Sequence, residues 1–292
     1  MIGQVRSFNR TVTQRVGALD DAFLARGRAL GQARLLWEIG TGGADIRELR
    51  SRLDLDSGYA SRMLQALAAD GLVRIEPSGQ DARVRTARLT GAGLAERETL
   101  DRLADEAASA ILAPLSRAQR SRLVAAMAEV ELLMRASMVT IAPCDPRLPQ
   151  ARYCIGGYFD ELAGRFEGGF DPSVTISATD DELTPPAGLL LVATLHGEAV
   201  GCGALKFHDD APAEIKRMWV APAVRGLGLG RRLLTELEAR AVAAGARTAR
   251  LETNGTLTEA IAMYRSAGYR EVPAFSDEPY AQHWFEKRLP RP

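Results

Sequence analysis

The stretch 217–241, RMWVAPAVRGLGLGRRLLTELEARA, decides how the second half of the chain is read. Gly226, Gly228 and Gly230 fall at every second position between an apolar run and a long amphipathic segment. Leu233, Leu234, Leu237 and Ala241 share one face of that segment, and Gly245 ends it. The glycines therefore sit where a strand hands over to a helix N-terminus. Glycine tolerates positive φ there and lets backbone N–H groups approach an anion closely. The helix dipole adds to the attraction, and Arg225 and Arg231 add charge. The residues fit a pyrophosphate cradle. A tight strand-to-helix turn alone would also place glycines here. The spacing lacks the Gly-Lys-Ser/Thr of a nucleotide loop, and several strands precede it, unlike a dinucleotide fold.

Outward from this loop, strands are predicted over 189–195, 199–206, 213–220 and 247–253, with a last one in HWFEKRL. Helices are predicted over 148–166 and in LTEAIAMYRSAGY, which ends at Gly268. The prolines of MVTIAPCDPRLPQ (138–150) exclude one continuous helix, so the domain boundary is placed between 138 and 139, with MVTIAP as the first strand of the second domain.

The first half has another pattern. Helices are predicted over 4–20, 30–40, 45–53, 57–69, 91–113 and 116–137. The helix 57–69 turns Met63, Leu64, Leu67 and Ala68 inward and leaves Ser57, Tyr59, Ser61, Arg62 and Gln65 outward or lateral. After it, VRIEPSGQDARVRTARLT alternates like two strands around PSGQD, pairing Val73 and Ile75 with Val84 and Thr86. Helix-turn-helix plus ribbon is a winged helix. The outward polar face suits base edges and phosphates, with Arg62 able to read guanine or neutralise phosphate and Arg83 and Arg85 able to reach a minor groove.

Composition sets limits. The 292 residues carry 37 basic and 37 acidic side chains. Residues 1–140 hold 20 Arg against 17 acidic residues and 141–292 hold 17 basic against 20 acidic, a mild asymmetry. Cys144, Cys154 and Cys202 and His196, His208 and His283 have no metal-ligand spacing, so no metal is expected. Cys202 reads as a core residue. No basic segment followed by an apolar core opens the chain and no run reaches membrane-spanning length, so a cytoplasmic protein is expected.

Two resemblances follow from these motifs. LDLDSGYASRMLQALAADGLV with DARVRTARLT resembles the MarR family of winged-helix regulators, over roughly 4–138. It implies double-stranded DNA as partner, helix 57–69 in a major groove and Arg83 in the minor groove. It also implies a homodimer built through 4–20, 91–113 and 116–137. VAPAVRGLGLGRRLL with AMYRSAGYREV resembles the GNAT superfamily of acetyl-coenzyme A-dependent N-acetyltransferases, over about 139–289. The expected architecture is thus a mainly-α winged helix-turn-helix over 1–138 and an α/β GNAT fold with a mixed central sheet over 139–292.

The second resemblance implies acetyl-coenzyme A as cosubstrate. It would lie against the strand residues Met218, Trp219 and Val220, the loop Arg225, Gly226, Leu227, Gly228, Leu229, Gly230 and Arg231, and Asn254. Tyr264 matches the tyrosine that protonates the departing thiolate, and Glu214 lies where some members carry a general base. A carboxylate of raised pKa and a hydroxyl near the sulfur are what amine attack on a thioester asks for. Direct attack in a ternary complex needs no acyl-enzyme. Lys216 and Arg217 are candidates for a substrate carboxylate, and Tyr280, His283 and Trp284 for the acceptor side. Three readings stay open: an amine acetyltransferase joined to a DNA-binding domain, a transcription regulator whose second half senses acetyl-coenzyme A or a metabolite, and an acetyltransferase whose first half is only a dimerisation scaffold.

Overall fold

The computed structural model describes residues 1–16, 24, 27–77, 84–175, 178–208 and 211–290. The chain divides into two compact units, Met1–Ala128 and Glu129–Pro292. The division falls ten residues before the expected boundary, inside a helix.

In the first unit the order is α1 (Ile2–Arg15), α2 (Leu30–Ile39), β1 (Ala44–Asp45), α3 (Ile46–Leu53), α4 (Ser57–Ala69), β2 (Val73–Pro77), β3 (Arg85–Leu89) and α5 (Gly91–Leu112). Helix α6 (Arg117–Met138) runs across the division. Local chemistry starts these helices where the sequence places polar caps. Asp45 accepts from Arg47 N at 2.5 Å, Asp56 from Gly58 N and Tyr59 N at 2.9 and 3.0 Å, and Thr90 from Gly93 N at 3.0 Å. Leu36, Ile39, Leu49, Leu64, Leu67 and Leu100 close the core.

The ribbon forms in a register other than the one expected. Val73 faces Leu89 and Ile75 faces Ala87, so the connection runs from 78 to 84 and Val84 pairs with neither. Core packing selects this register: Ala87 and Val73 are the buried positions of their strands. Strand β1, unforeseen in the sequence, adds to the far side of β3 and gives the order β1-β3-β2. The turn residues 78–83, Arg83 among them, lie outside the described residues, as do 17–20 of the first expected helix.

The second unit has β4 (Thr140–Pro143), α7 (Pro149–Arg165), β5 (Gly188–Leu195), β6 (Glu198–Lys206), β7 (Ala213–Val220), α8 (Leu229–Ala243), β8 (Thr248–Thr253), α9 (Thr258–Ser266), β9 (Arg270–Val272) and β10 (His283–Arg288). Its sheet order is β4-β5-β6-β7-β8-β10-β9, antiparallel throughout except for the parallel pair β7 and β8. The tail of α6 belongs here: Leu132 and Ala136 pack on this core, and Arg232 of α8 donates to the carbonyls of Ala136 at 2.5 Å and Val139 at 2.9 Å.

Two irregularities of β7 position the site. Strand β8 pairs with β7 only at Ala213–Ala249 and Glu214–Arg250, and beyond that the two separate. On the other edge, Gly203 of β6 faces both Arg217 and Met218, a β-bulge with one extra residue on β7. Arg217 takes φ 54°, unusual for a side-chain-bearing residue, and the Cys202 thiol, fully buried in the core, donates to its carbonyl at 3.2 Å.

Helix α7 crosses β7 at Gly157, where an added Cβ would stand 2.5 Å from Cζ2 of Trp219. Alanine there would gain helix propensity of about 0.5–1 kcal/mol, but overpacking against a rigid indole costs about 1–3 kcal/mol. Gly157→Ala is expected to lower the denaturation midpoint and to weaken coenzyme A binding by displacing Trp219. An unchanged midpoint with unchanged affinity would contradict this contact.

Candidate active site

The separation of β7 from β8 opens two adjoining cavities. The larger, about 530 Å³, is lined by Met218, Trp219 and Val220 of β7, by Arg225, Gly226, Gly228, Leu229, Gly230 and Arg231, and by α7 and α9. Gly226 and Gly228 have φ of 85° and 69°, and Gly228 is the N-cap of α8. With no side chain there to cap the helix, its first-turn N–H groups lack intrahelical acceptors. Gly230 is needed for closeness instead: a Cβ there would meet the Met263 sulfur at 3.2 Å. The cations are held in place. Arg225 donates to the Val220 carbonyl at 3.1 Å and to Glu161 at 2.5 Å, Arg165 pairs with Glu161 and Glu259, and Arg231 bonds Ser266. Donors, positive helix end and arginines converge on one wall, a fit for a pyrophosphate.

The smaller cavity, about 110 Å³, is lined by Ile215, Lys216, Arg217 and Met218 of β7, by Glu252, Thr253 and Asn254, and by aromatic side chains of α7 and the loops. Four successive strand residues reach one cavity because the bulge breaks the pleat. Tyr158, Leu162, Met218, Leu257, Ala260 and Tyr264 line both cavities and mark where they join. Tyr264 is buried, with its ring against Tyr269 and Phe285. Burial pushes its hydroxyl pKa above the ordinary value, so the proton is retained at neutral pH. Burial likewise pushes Tyr158 up to about 12, against the opposing charges of Arg217 and Lys216.

Several expected site residues stand elsewhere. Glu214 lines neither cavity. Its carboxylate lies 2.7 Å from Lys216 Nζ, 2.9 Å from His208 Nε2 and 3.5 Å from Arg250. Burial alone would push that carboxyl up, but the charges of Lys216 and Arg250 and the hydrogen bonds with Lys216 and His208 more than reverse it and the pKa falls below the ordinary range. A carboxylate so held is a poor base, which corrects its assignment. The carboxylates that line the smaller cavity are Glu252 and Glu278. Lys216 is engaged by Glu214 and Glu252, and the Arg217 guanidinium lies over the Phe159 ring and donates to the Ala178 carbonyl at 2.7 Å. Asn254 lines the smaller cavity, not the larger, and is spent on local structure: it donates to the Tyr280 carbonyl at 2.9 Å and accepts from Thr256 N at 3.0 Å. Leu227 is buried in the core. Tyr280 lines the smaller cavity, whereas His283 pairs with Glu271 and Trp284 donates to Ser276.

Tyr158, Phe159, Phe166 and Phe170 were not singled out from sequence. The signal was there: five aromatic residues fall within 153–170 of a chain only 6% aromatic.

On the first unit, Ser57, Tyr59, Ser61, Arg62 and Gln65 are all exposed on α4, opposite the buried Ala60, Met63, Leu64 and Leu67. The Arg62 guanidinium lies 6.0 Å from the Tyr59 ring, and Arg85 is exposed on β3. Among the described residues no group of His, Cys, Asp and Glu forms a metal site, and no helix is long and apolar enough to cross a membrane.

A winged-helix unit and a mixed sheet split around a glycine-rich helix start define a regulator-type domain joined to an acyltransferase-type domain. The acetyltransferase (GNAT) family matches residues 158–269 and the MarR family residues 27–84. The chain is 34% identical over 119 residues to an uncharacterized N-acetyltransferase of Schizosaccharomyces pombe, covering 38% of this chain and 73% of that protein. It is 40% identical over 94 residues to an IAA acetyltransferase of Azospirillum brasilense, covering 32% of this chain and 61% of that one. A GNAT-family acetyltransferase structure from Staphylococcus aureus aligns over 52% of this chain and 99% of its own at 16% identity, with TM-score 0.45. The chain belongs to the GNAT family of N-acetyltransferases, with a MarR-family domain ahead of it.

Proposed function

We propose that the second unit transfers acetyl from acetyl-coenzyme A to a primary amine by direct attack in a ternary complex. The observation that carries this is the position of Tyr264, on the wall of both cavities where they join. The first turn of α8, with Arg225 and Arg231, would hold the pyrophosphate, and the unpaired edge of β7 at Met218–Val220 would receive the pantetheine arm and supply an N–H to the oxyanion. The thioester then lies near Tyr264, which protonates the sulfur as it leaves. The incoming ammonium sheds a proton to solvent before its nitrogen attacks. Thiol release by purified full-length protein, across amino acids, polyamines, amino sugars and lysine peptides, tests the activity. Silence on every acceptor, with acetyl-coenzyme A still bound in calorimetry, would favour a metabolite-sensing regulator over an enzyme.

The first unit, in this reading, binds double-stranded DNA as a homodimer, with the exposed face of α4 in a major groove. A gel shift with DNA upstream of its own gene, with and without acetyl-coenzyme A, is the test, and absence of any specific shift would leave a scaffold. The dimer reading draws on α1, which buries none of its residues and exposes Ile2, Val5, Phe8 and Val12. An isolated 14-residue helix of this kind is marginal in water and needs a partner surface. Phe8→Asp is expected to give a monomer by light scattering, and a dimer of unchanged mass would remove α1 from the interface.

A further inference from the structure

The charged groups on the wall of the smaller cavity are engaged within the protein. Lys216 sits between Glu214 and Glu252. Glu252 also accepts from the Ser276 hydroxyl, which in turn accepts from Trp284 Nε1 at 3.1 Å. Behind them Glu214 meets His208 at 2.9 Å and Arg250 at 3.5 Å. The Arg217 guanidinium lies 4.9 Å from the Phe159 ring centre and donates to the Ala178 carbonyl at 2.7 Å. Glu278 accepts from Tyr280 N at 3.4 Å. The wall thus carries two cations, Lys216 and Arg217, and two carboxylates, Glu252 and Glu278, each with a partner of its own. A carboxylate on the substrate would come up against Glu252 and Glu278, and a second ammonium against Lys216 and Arg217. Either would be seated only by drawing a wall group off its present partner, which is costly away from water.

Much of the remaining wall is aromatic. Phe159 and Phe170 stack at 5.6 Å, Phe166 stands edge-on to Phe170 at 5.8 Å, and Tyr280 packs on Phe166 and Phe170 at 5.5 and 5.0 Å. None of the four is sealed in the core, since all line the cavity. Its volume of about 110 Å³ is on the scale of one ring, since an apolar cavity of about 150 Å³ takes benzene. The junction with the larger cavity carries no charged side chain: Tyr158, Leu162, Met218, Leu257, Ala260 and Tyr264. Resting on the acetyl-transfer reading, we propose that the acceptor is an arylalkylamine, a monoamine with one ring, a short arm and no second charge. Its ring lies against Phe159, Phe166, Phe170 and Tyr280, and the arm carries the amine back to the junction at Met218 and Tyr264. The attacking nitrogen is neutral, so no ion pair of the wall has to open to admit it.

The step balances without an added reactant. The ammonium sheds one proton to solvent. The nitrogen lone pair bonds to the acetyl carbonyl carbon, the carbon–sulfur bond breaks, and the sulfur takes the proton of Tyr264. The nitrogen's surplus proton then restores the Tyr264 hydroxyl.

The test compares kcat/KM of the full-length protein, with acetyl-coenzyme A, for phenethylamine, L-phenylalanine, phenylalaninamide, ethylamine, 1,5-diaminopentane, spermidine, kanamycin and a lysine peptide. Phenethylamine is expected to exceed L-phenylalanine and 1,5-diaminopentane by about tenfold or more, because each of these brings a second charge that the wall leaves without a partner. It is expected to exceed ethylamine by a similar factor through burial of its ring. Phenylalaninamide has the bulk of phenylalanine without the carboxylate and should stay within a few fold of phenethylamine. An amide as poor as the acid would overturn the charge argument in favour of bulk. Phe170→Ala should shrink the phenethylamine-to-ethylamine ratio through KM, with coenzyme A affinity in calorimetry unchanged, since Phe170 lines the smaller cavity and not the larger. The wild-type ratios decide the matter even if that variant fails to fold. Best turnover on L-phenylalanine, ethylamine, 1,5-diaminopentane, spermidine, kanamycin or the peptide would overturn the arylalkylamine assignment while leaving acetyl transfer standing. No turnover on any acceptor would overturn both.

Discussion

Tyr264→Phe lowers kcat by about 10²–10⁴-fold, the usual worth of a positioned general acid, and leaves coenzyme A affinity and thermal stability as they were. The variant is clean for a structural reason. Among the described residues the Tyr264 hydroxyl has no hydrogen-bond partner, and the ring contacts with Tyr269 and Phe285 survive in phenylalanine. Burial keeps the hydroxyl protonated through neutral and mildly alkaline pH, so no alkaline fall in kcat is expected from Tyr264 itself. Steady-state kinetics on the best acceptor decide it, and an undiminished kcat would take the acid role from this residue.

Lys216→Met destabilises the second unit by about 3–5 kcal/mol, the range for removing one partner of a buried ion pair. Glu214 and Glu252 share Nζ of Lys216 from two strands, β7 and β8. Methionine fills the space but leaves two buried carboxylates without their common cation. The pH dependence has a definite sign. Lys216 loses from burial and gains more from Glu214 and Glu252, so its pKa is raised and its contribution persists until pH climbs through that raised value. Glu214 is lowered, so its contribution is present above the ordinary carboxylate range and lost as pH falls through the depressed value. The deficit of Lys216→Met against wild type should therefore be full at neutral pH and shrink on acidification below pH of about 4. Denaturant melts from neutral to acid pH measure this, and a deficit independent of pH would point to packing rather than charge.

Much of the architecture was legible because periodicity and caps agreed. Asp56 ahead of Ser57–Ala69, and the glycines ahead of Leu229–Ala243, fix helix starts by local chemistry alone. The ribbon register was not legible, since several positions of VRIEP and RTARL alternate equally well and the choice falls to Ala87 against the core. The glycine-rich loop and Tyr264 were legible by motif as candidate site residues, and the fold sets them on the wall of one cavity. The sorting of Glu214, Lys216 and Arg217 was not: strand alternation predicts faces, and the extra residue on β7 overrides it. The aromatic lining of the smaller cavity escaped for another reason. Phe159, Phe166, Phe170 and Tyr280 come from a helix and two loops, and only the fold brings them together.

The bulge on β7 has a bearing on which length changes the gene can accept. Loss of a residue inside a central strand ordinarily slips every later side chain to the wrong face. Here β7 is one residue longer than its partner across Gly203. Deleting the codon for Arg217 would leave β6 and β7 flush, with Trp219 and Val220 still opposite Cys202 and Gly201, and would relieve the one left-handed backbone position in the strand. The shortened protein would be the better-formed sheet and, on the proposed acetyl-transfer reading, the worse enzyme, with Arg217 gone from the smaller cavity. Such a one-codon deletion, stably folded and catalytically silent, would separate what β7 contributes to the sheet from what it contributes to the reaction.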